Sequence, residues 1–277
     1  MKKIKVAVTG ADGFLGRYVV KRLKKERNIT FFLLDKSKHN LFRTNSLKQL
    51  LNNKDVIIHL AAVNRDNNSN LIKVNCLGIL GLLEGICKYS PNAKLIFSSS
   101  FQVYEKESMY GLSKKFAEEL IEYYSKKNNI KSIILRIANI YGSGGKPFYN
   151  SAIATFVYQI KTGKPLIING DGKQKRDYIH VTDVVDAIMK CILYVPETNI
   201  TNIDICSGTL TSINDLIETL KRKSSRHVMI THNHSLHEAE GDIEKKFSIR
   251  KALRLLSWKP TVSLAAGLTS MINDNET

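Results

Sequence analysis

Three side chains near the middle of the chain have the types and the spacing needed to exchange a proton with a hydroxyl group. Tyr110 and Lys114 lie four residues apart in a segment with helical character, so their side chains share one helix face. A phenol with its ordinary pKa of about 10 is a poor base at neutral pH, but a nearby ammonium group favours the phenolate. Ser100 follows an apolar run and can orient the same substrate oxygen. We therefore expect Ser100, Tyr110 and Lys114 to form a catalytic set.

A glycine-rich loop near the N-terminus predicts a binding site for a dinucleotide. The loop follows a β-branched run, residues 4–9, and precedes apolar residues at helical spacing. Gly10 permits a tight turn, Gly13 lets a pyrophosphate approach the backbone, and Gly16 lets the helix pack on the strand. The phosphates then lie at the N-terminus of the helix, where free N–H groups and the helix dipole favour anions.

Asp35 supports this interpretation because it ends the next strand-like run about 20 residues beyond the loop, where a carboxylate binds the adenosine ribose. Its charge would repel a 2'-phosphate, so we expect NAD. Lys36 and Lys38 could accept that phosphate, which keeps NADP as the alternative. A third strand-like run, residues 55–62, ends in the small residues Ala61 and Ala62, against which a flat ligand can lie. The cofactor contacts predicted from these runs are Gly10, Asp12, Gly13, Phe14, Leu15, Gly16, Asp35, Leu60, Ala61, Ala62 and Ser98.

Strand-like and helix-like segments alternate along the chain, which predicts an α/β protein with a Rossmann-type, doubly wound parallel sheet. The glycine-rich stretch Ser143–Pro147 favours a division at this point. We expect a dinucleotide-binding domain over residues 1–145. Residues 146–277 would form a smaller α/β substrate region, parts of which return to the first sheet.

Charged and polar residues in the second half suggest contacts to a substrate. Residues 169–178 read as a turn-rich loop that carries three cations, and Arg176 suits a phosphate because guanidinium binds phosphate oxygens in bidentate fashion. A solvated loop is the alternative. His232, His234 and His237 form a cluster without the spacing of a zinc site, so we expect no metal.

Composition narrows the class of protein. The chain has 277 residues and a net charge of +17, but its lysines are dispersed and form no basic block with aromatics, so nucleic acid is not the expected partner. The four cysteines lie in apolar segments without a CxxC pair, as buried free thiols do. We saw neither a signal peptide nor an uninterrupted membrane-length apolar run, and we expect a cytoplasmic protein without a membrane segment. His59, within an apolar run, is expected to be a core residue.

Taken together, these motifs resemble the extended short-chain dehydrogenase/reductase superfamily, and in particular its NAD-dependent nucleotide-sugar epimerase/dehydratase branch. The resemblance covers most of the chain. It rests on Val8–Gly16, His59–Ala62, Asn75–Gly78, Phe97–Ser100, Val103–Tyr104, Tyr110–Lys114, Leu135–Gly142, Gly170–Gly172 and Arg176–Asp183.

The resemblance implies that Tyr110 and Lys114 contact the cofactor as well as serving catalysis, and that Asn75 orders the cofactor side. It further implies that Asn139 and Arg176 bind the nucleotide part of a nucleoside-diphosphate sugar, while Ser100 contacts the sugar. The related 4-epimerases oxidise the C4 hydroxyl to a ketone, turn the ketone over and reduce its other face, so the cofactor is regenerated. Family members pair through two helices, which implies a homodimer.

The chain departs from the family pattern in three places. Only nine residues, 101–109, separate Ser100 from Tyr110, whereas relatives usually carry a longer loop that contacts the sugar. Glu238 and Ala239 occupy the region where a second pyrophosphate arginine is usual. The acidic residue that usually follows the third strand of the family is not evident.

The sequence leaves three functions open. The preferred one is a nucleotide-sugar 4-epimerase, because Phe101 and Gln102 replace the Asp-Glu pair with which related dehydratases eliminate water. An NAD(P)H-dependent reductase of 4-keto-sugar nucleotides would share every residue named above. A third hypothesis, a non-catalytic NAD(P)-binding or RNA-associated protein, has no need for Ser100, Tyr110 and Lys114.

Overall fold

The computed structural model describes residues 3–105, 108–149, 151–224, 228–233 and 247–274. The chain forms two compact units. The first comprises Met1–Arg136 and Val185–Ile203, and the second Ile137–Val184 and Asp204–Thr277. The division predicted at residue 145 lies within the second unit, and residues 185–203 belong to the first.

Strands and helices alternate through most of the described chain. The strands are β1 (Ile4–Thr9), β2 (Ile29–Leu33), β3 (Val56–His59), β4 (Lys94–Ser100), β5 (Ser132–Ile137), β6 (Asn139–Tyr141), β7 (Leu166–Asn169), β8 (Lys175–His180), β9 (Ile200–Ile205), β10 (Leu210–Ser212) and β11 (Ile230–Asn233). The α-helices are α1 (Phe14–Leu23), α2 (Lys48–Leu51), α3 (Asn68–Ile72), α4 (Gly78–Tyr89), α5 (Met109–Asn128), α6 (Ala152–Lys161), α7 (Val181–Leu193), α8 (Ile213–Lys223), α9 (Arg250–Leu256) and α10 (Leu264–Asn273). Two 3₁₀ turns, Thr44–Leu47 and Phe101–Tyr104, and one π-helical segment, Lys73–Leu77, complete the assignment.

The large sheet has the strand order β2-β1-β3-β4-β5-β9. Strand β1 pairs in parallel with both β2 and β3, and β3 pairs in parallel with β4. The chain therefore reverses its direction of winding between β1 and β3. In open α/β sheets ligands bind at such a point, beyond the carboxyl ends of the strands. The predicted Rossmann-type sheet is confirmed, and the glycine loop follows β1 at this position.

The connection between β2 and β3 is short and contains no strand. Residues 34–55 are all described, and they contain a 3₁₀ turn and the one-turn helix α2 but no strand. Strand β2 therefore forms an edge of the large sheet, and Phe32 and Leu33 remain 38% exposed there. This shortening explains why the acidic residue expected after a third family strand has no counterpart in the sequence.

The core of the first unit lies between the sheet and the helical run Asn68–Tyr89. Within the described residues this run is the one segment long and apolar enough to cross a membrane, with a mean hydropathy of 1.4. More than half of that window is buried, and Ile79, Leu82, Leu83 and Ile86 are fully enclosed in the core. The apolar character of the run is thus accounted for by packing inside the first unit.

The second unit contains two small sheets, one ordered β10-β8-β6 and the other β11-β7. Strand β8 pairs antiparallel with β10 and parallel with β6. Asp183 anchors the chain near its C-terminal helices, since its carboxylate accepts hydrogen bonds from the backbone N–H groups of Thr261 and Val262. The buried indole of Trp258 donates to the Asp183 carbonyl over 3.0 Å. These contacts attach the segment between α9 and α10 to the start of α7.

Replacing Leu83 by Ala tests the role of the long apolar run as a core element. The side chain is fully buried, so truncation leaves a cavity and should lower the free energy of unfolding by about 2–5 kcal/mol. The matched control is Leu253→Ala, which removes the same atoms from a side chain that is 50% exposed. Urea unfolding of both variants measures the difference. Equal stabilities would contradict the core assignment.

Candidate active site

The glycine loop forms a cradle at the start of α1 that is shaped by close backbone contacts. Gly10 has φ +73°, and a Cβ at this position would meet Ala61 N at 2.5 Å. The Gly13 N–H donates to the Gly10 carbonyl over 3.1 Å and closes the turn. Gly13 is also the N-cap of α1, and no side chain caps that helix. The first-turn N–H groups are therefore suited to the pyrophosphate of a dinucleotide.

Asp35 follows β2 and is held by its own neighbours. Its carboxylate Oδ1 accepts hydrogen bonds from the Ser37 N–H over 2.9 Å and from the Ser37 hydroxyl over 2.7 Å. These bonds lower the pKa of Asp35, so the carboxylate is ionised at neutral pH. Lys38 Nζ lies 3.5 Å from the other carboxylate oxygen. An ionised acceptor here suits ribose hydroxyls and disfavours a 2'-phosphate.

The structure brings the predicted catalytic side chains together at the carboxyl end of β4. Lys114 is 2% exposed, and its ammonium group donates to the Ser98 carbonyl over 2.8 Å. The same nitrogen lies 5.8 Å from the ring centroid of Tyr110. The Ser100 side chain lies close enough to Tyr110 to act on the pKa of its phenol. Ser100, Tyr110 and Lys114 thus form one cluster, as the spacing in the sequence predicted.

The start of α5 is positioned by two short-range features. Ser108 is the N-cap, and its hydroxyl accepts the Gly111 N–H over 2.9 Å. A Cβ at Gly111 would meet the Gln102 carbonyl at 2.0 Å, so only glycine lets the 3₁₀ turn after Ser100 approach the helix so closely. This close approach is how a nine-residue connection still places Tyr110 beside Ser100.

Desolvation is the main cause of the pKa shifts of both Tyr110 and Lys114. Desolvation raises the pKa of Tyr110, and the Ser100 side chain opposes this effect only in part. Desolvation also lowers the pKa of Lys114 to about 7, and the negative charge of Glu118 opposes that shift. Tyr110 is therefore a neutral phenol in the protein alone. The phenolate that the sequence argument expected from Lys114 requires more than the Lys114 charge.

Asn75 connects two parts of the predicted cofactor side. It lies on the π-helical segment, a type of distortion that often marks functional sites. Its amide accepts the Val63 N–H over 3.0 Å and donates to the Val63 carbonyl over 2.8 Å. The same amide donates to the Ser113 hydroxyl, next to Lys114, over 2.9 Å. Asn75 therefore ties the loop after β3 to the catalytic helix.

His59 is a core residue, as predicted. It is 1% exposed, and its Nδ1 lies 2.7 Å from the Thr9 hydroxyl. Burial lowers the pKa of His59 to about 3, so the ring is neutral. The Thr9 hydroxyl also accepts the Ala61 N–H over 3.3 Å, which orders the small residues Leu60–Ala62 after β3. The cysteines carry free thiols: Cys76, Cys191 and Cys206 are buried and Cys87 is half-buried.

The two predicted substrate residues belong to the second unit. Asn139 lies on β6, and its amide donates to the Asp177 carbonyl over 3.2 Å. Arg176 was expected in a loop, and this expectation is wrong. It lies on β8, between β6 and β10, and is only 7% exposed. Strand pairing on both sides overrides the turn-rich composition of residues 169–178.

Some sequence features lie outside the described residues. His234 and His237 are among them, as are Glu238 and Ala239, so the histidine cluster and the missing arginine are not described. His232 lies on β11, where its Nδ1 is 3.1 Å from the Gly170 carbonyl oxygen. Among the residues that the structure describes, no three His, Cys, Asp or Glu side chains are grouped to hold a metal ion.

A partly buried ion pair lies next to the cluster and was not predicted from the sequence. Glu118 and Arg136 are joined through several hydrogen bonds, the shortest of which is 2.6 Å. Two signals point to it in retrospect. Glu118 is four residues beyond Lys114 on the same helix, and Arg136 is a lone charge in an apolar strand, which requires a partner.

Comparison with known proteins agrees with the fold. Residues 6–204 match the model of the NAD dependent epimerase/dehydratase family. The chain is similar to a dTDP-4-dehydro-6-deoxyglucose reductase of Escherichia coli, with 29% identity over 98% of this chain and 97% of the relative. It is similar to a UDP-glucuronate 4-epimerase of Thermodesulfobacterium geofontis, with 28% identity over 96% and 88%. The solved UDP-glucuronic acid 4-epimerase from Bacillus cereus, in complex with UDP-glucuronic acid and NAD, superposes with a TM-score of 0.79, 26% identity and 98% coverage of both chains.

The chain belongs to the NAD dependent epimerase/dehydratase family. Membership confirms the resemblance drawn from the motifs and the class, an enzyme related to NAD-dependent nucleotide-sugar epimerases, dehydratases and reductases. It also confirms NAD or NADP as the cofactor class, which the glycine cradle after β1 fits.

Replacing Gly16 by Ala tests the cradle. A Cβ at Gly16 would lie 2.0 Å from the Gly10 carbonyl oxygen, so the loop must move, and affinity for NAD should fall at least tenfold. Calorimetric titration with NAD measures the loss. The control is Gly78→Ala, whose Cβ meets nothing closer than 3.7 Å and lies within a helix. Unchanged NAD affinity in Gly16→Ala would contradict the assignment of this loop.

Proposed function

We propose that the protein is an NAD-dependent nucleotide-sugar epimerase that acts at C4 through a transient 4-keto sugar. The observation that carries the proposal is the cluster of Ser100, Tyr110 and Lys114 at the carboxyl end of β4. A phenol, a hydroxyl and a buried ammonium in this arrangement suit the removal of a proton from a secondary alcohol and its return.

Each member of the cluster has a separate task in the proposed reaction. Bound NAD would supply the hydride acceptor and donor for C4. Tyr110 takes the proton of the C4 hydroxyl and returns it to the 4-keto oxygen, while Ser100 donates a hydrogen bond that orients the same oxygen. Lys114 holds a positive charge near the phenol, which favours its ionised form, and contacts the nicotinamide ribose. We assign binding of the substrate nucleotide to Asn139 and Arg176.

The local structure supports an epimerase over a dehydratase. Phe101 and Gln102 follow the catalytic Ser100 in the 3₁₀ turn, and neither can act as an acid or base on a neighbouring carbon. The epimerase reading also agrees with the relatives, which include a UDP-glucuronate 4-epimerase.

A second candidate is a reductase of 4-keto-sugar nucleotides that consumes NAD(P)H. It is favoured by the similarity to the dTDP-4-dehydro-6-deoxyglucose reductase. Lys38, whose ammonium lies 3.5 Å from the Asp35 carboxylate, is a potential partner for a 2'-phosphate. The two candidates differ in one measurable respect, because only the reductase consumes one reduced cofactor in each turnover.

Replacing Tyr110 by Phe should lower kcat by at least a thousandfold and leave NAD affinity within about threefold, because only the proton-transferring hydroxyl is removed. The assay supplies UDP-glucose or UDP-glucuronic acid without added cofactor and detects the C4 epimer by NMR. The control is Tyr194→Phe, which removes the same hydroxyl from a tyrosine directly after α7.

Two outcomes would overturn the proposal. Epimerisation by Tyr110→Phe at the rate of the unmodified protein would remove the catalytic assignment. Stoichiometric oxidation of NADH or NADPH with a 4-keto-sugar nucleotide, in the absence of any epimerisation, would replace the epimerase by the reductase.

We also propose that the protein is a cytoplasmic homodimer that pairs through α5. Leu112, Phe116 and Tyr123 recur at helical spacing and are 56%, 47% and 58% exposed. An exposed apolar stripe of this kind is typical of a protein interface. The free thiols suit a reducing compartment.

Replacing Phe116 by Glu places a charge in the proposed interface and should convert the dimer to a monomer at micromolar concentration. Sedimentation velocity measures the change. Leu193→Glu is the matched control, because that side chain is 65% exposed but lies on α7. A monomeric unmodified protein would contradict the dimer.

A further inference from the structure

We propose that the ion pair between the buried Glu118 and the half-buried Arg136 is the positioning element of the catalytic cluster: it fixes both sides of the turn that carries Ser100 and keeps Lys114 charged. This inference rests on the proposed function for its catalytic meaning. Its contacts lie within the first unit.

Glu118 holds the strand side of the turn. The Ser99 hydroxyl donates to Glu118 Oε1 over 2.5 Å, and both residues are buried. Successive side chains of a strand point to opposite faces of the sheet. The Ser99 side chain therefore bonds to Glu118 on the face opposite to the side chains of Ser98 and Ser100. Lys114, one helical turn before Glu118, donates to the Ser98 carbonyl. Helix α5 therefore fastens the end of β4 at two consecutive residues.

Arg136 extends the same restraint to the other side of the turn. Its guanidinium donates to Glu118 through Nε and Nη2, with Nη2 2.6 Å from Oε2. Its Nη1 donates to the Tyr104 hydroxyl over 2.5 Å, and the guanidinium lies 5.0 Å from the Tyr104 ring centroid. Tyr104 ends the 3₁₀ turn that begins directly after Ser100. Ser99 and Tyr104 are thus both tied to one ion pair, and Ser100 lies between them.

The short connection to α5 makes such a restraint necessary. With nine residues between Ser100 and Tyr110, few contacts other than those of the turn itself can hold the serine. A planar guanidinium that bridges a carboxylate and a phenol restricts the turn in direction as well as in distance. Displacement of a catalytic group by about 1 Å can cost about a hundredfold in rate, so this restriction bears on catalysis.

Glu118 also acts on the charge of Lys114. The charged and titratable groups that act on Lys114 are Glu118 and Tyr110 on its own helix, Cys76 on the π-helical segment, and His59 on β3. His59 is neutral, and burial raises the pKa of Cys76. Glu118 therefore supplies the negative charge that opposes the loss of the Lys114 proton on burial.

The test is Glu118→Gln in the full-length, NAD-loaded protein, with the exposed Glu122→Gln on the same helix as matched control. We expect kcat to fall at least tenfold with KM within threefold. The loss of activity at high pH should begin about one pH unit lower, because Lys114 loses its proton more readily. A merely structural role would lower the melting temperature and leave the pH profile in place.

Tyr104→Phe separates the two effects. It removes the hydrogen bond from Arg136, retains the aromatic ring beside the guanidinium and keeps the Glu118 charge, so kcat should fall severalfold while the pH profile stays unchanged. If Glu118→Gln does not fold, Arg136→Lys, which keeps the charge but loses the bidentate geometry, gives the same comparison as Tyr104→Phe. Unaltered kcat in Tyr104→Phe or in Arg136→Lys would overturn the positioning role.

A measurement that does not depend on substrate turnover tests this inference independently of the proposed function. NMR titration of ¹³C-lysine-labelled protein, with the Lys114 resonance assigned by Lys114→Arg, reports the Lys114 pKa directly. A lower pKa in Glu118→Gln supports the inference even if UDP-glucose and UDP-glucuronic acid are not converted, an outcome that overturns only the proposed function. An equal pKa in both proteins would overturn the electrostatic role of Glu118.

Discussion

The arrangement of the catalytic cluster depends on how the buried ammonium group of Lys114 is stabilised. Removing a charge from water is costly unless hydrogen bonds and an opposite charge compensate. The Ser98 carbonyl supplies the first and Glu118 the second. Ser98 lies on β4, and Glu118 lies on α5 with Lys114. Lys114 can reach both partners only if α5 packs against the carboxyl end of β4. Tyr110, on the same helix face, is brought to Ser100 as a consequence.

Close backbone approaches complete the site. Gly10 lies against the backbone of Ala61, and Gly111 lies against that of Gln102, in both places at distances that leave no room for a Cβ. The first approach shapes the cradle for the dinucleotide phosphates, and the second lets a short connection reach from Ser100 to α5. The cofactor loop and the catalytic cluster thus depend on the same feature, which is a glycine at the point where two backbone segments come into close contact. The reaction that we propose needs both at one edge of the sheet.

Local patterns in the sequence were sufficient for the fold and for the proximity of Ser100, Tyr110 and Lys114, whose catalytic role stays a prediction. Tyr110 and Lys114 are linked by helical periodicity, and the glycine loop is read from its strand–turn–helix context, so neither requires knowledge of distant contacts. Arg176 was misplaced because Lys175–His180 is polar, and its strand character arises from pairing with β6 and β10, which no local pattern reveals. The ion pair between Glu118 and Arg136 joins residues 18 positions apart. A lone charge in an apolar strand indicates that Arg136 needs a partner, but no local pattern identifies Glu118 as that partner. The roles of Asn139 and Arg176 remain predictions.

Mass spectrometry of the cofactor released from freshly purified, denatured protein tests the central claim most directly. An enzyme that oxidises and then reduces the same sugar regenerates its cofactor at every turnover and can keep it bound. We expect release of NAD⁺ and NADH in near-stoichiometric total amount. Release of NADP, or a protein that is isolated empty and then binds NADPH in preference to NAD, would contradict this claim and would point to the reductase.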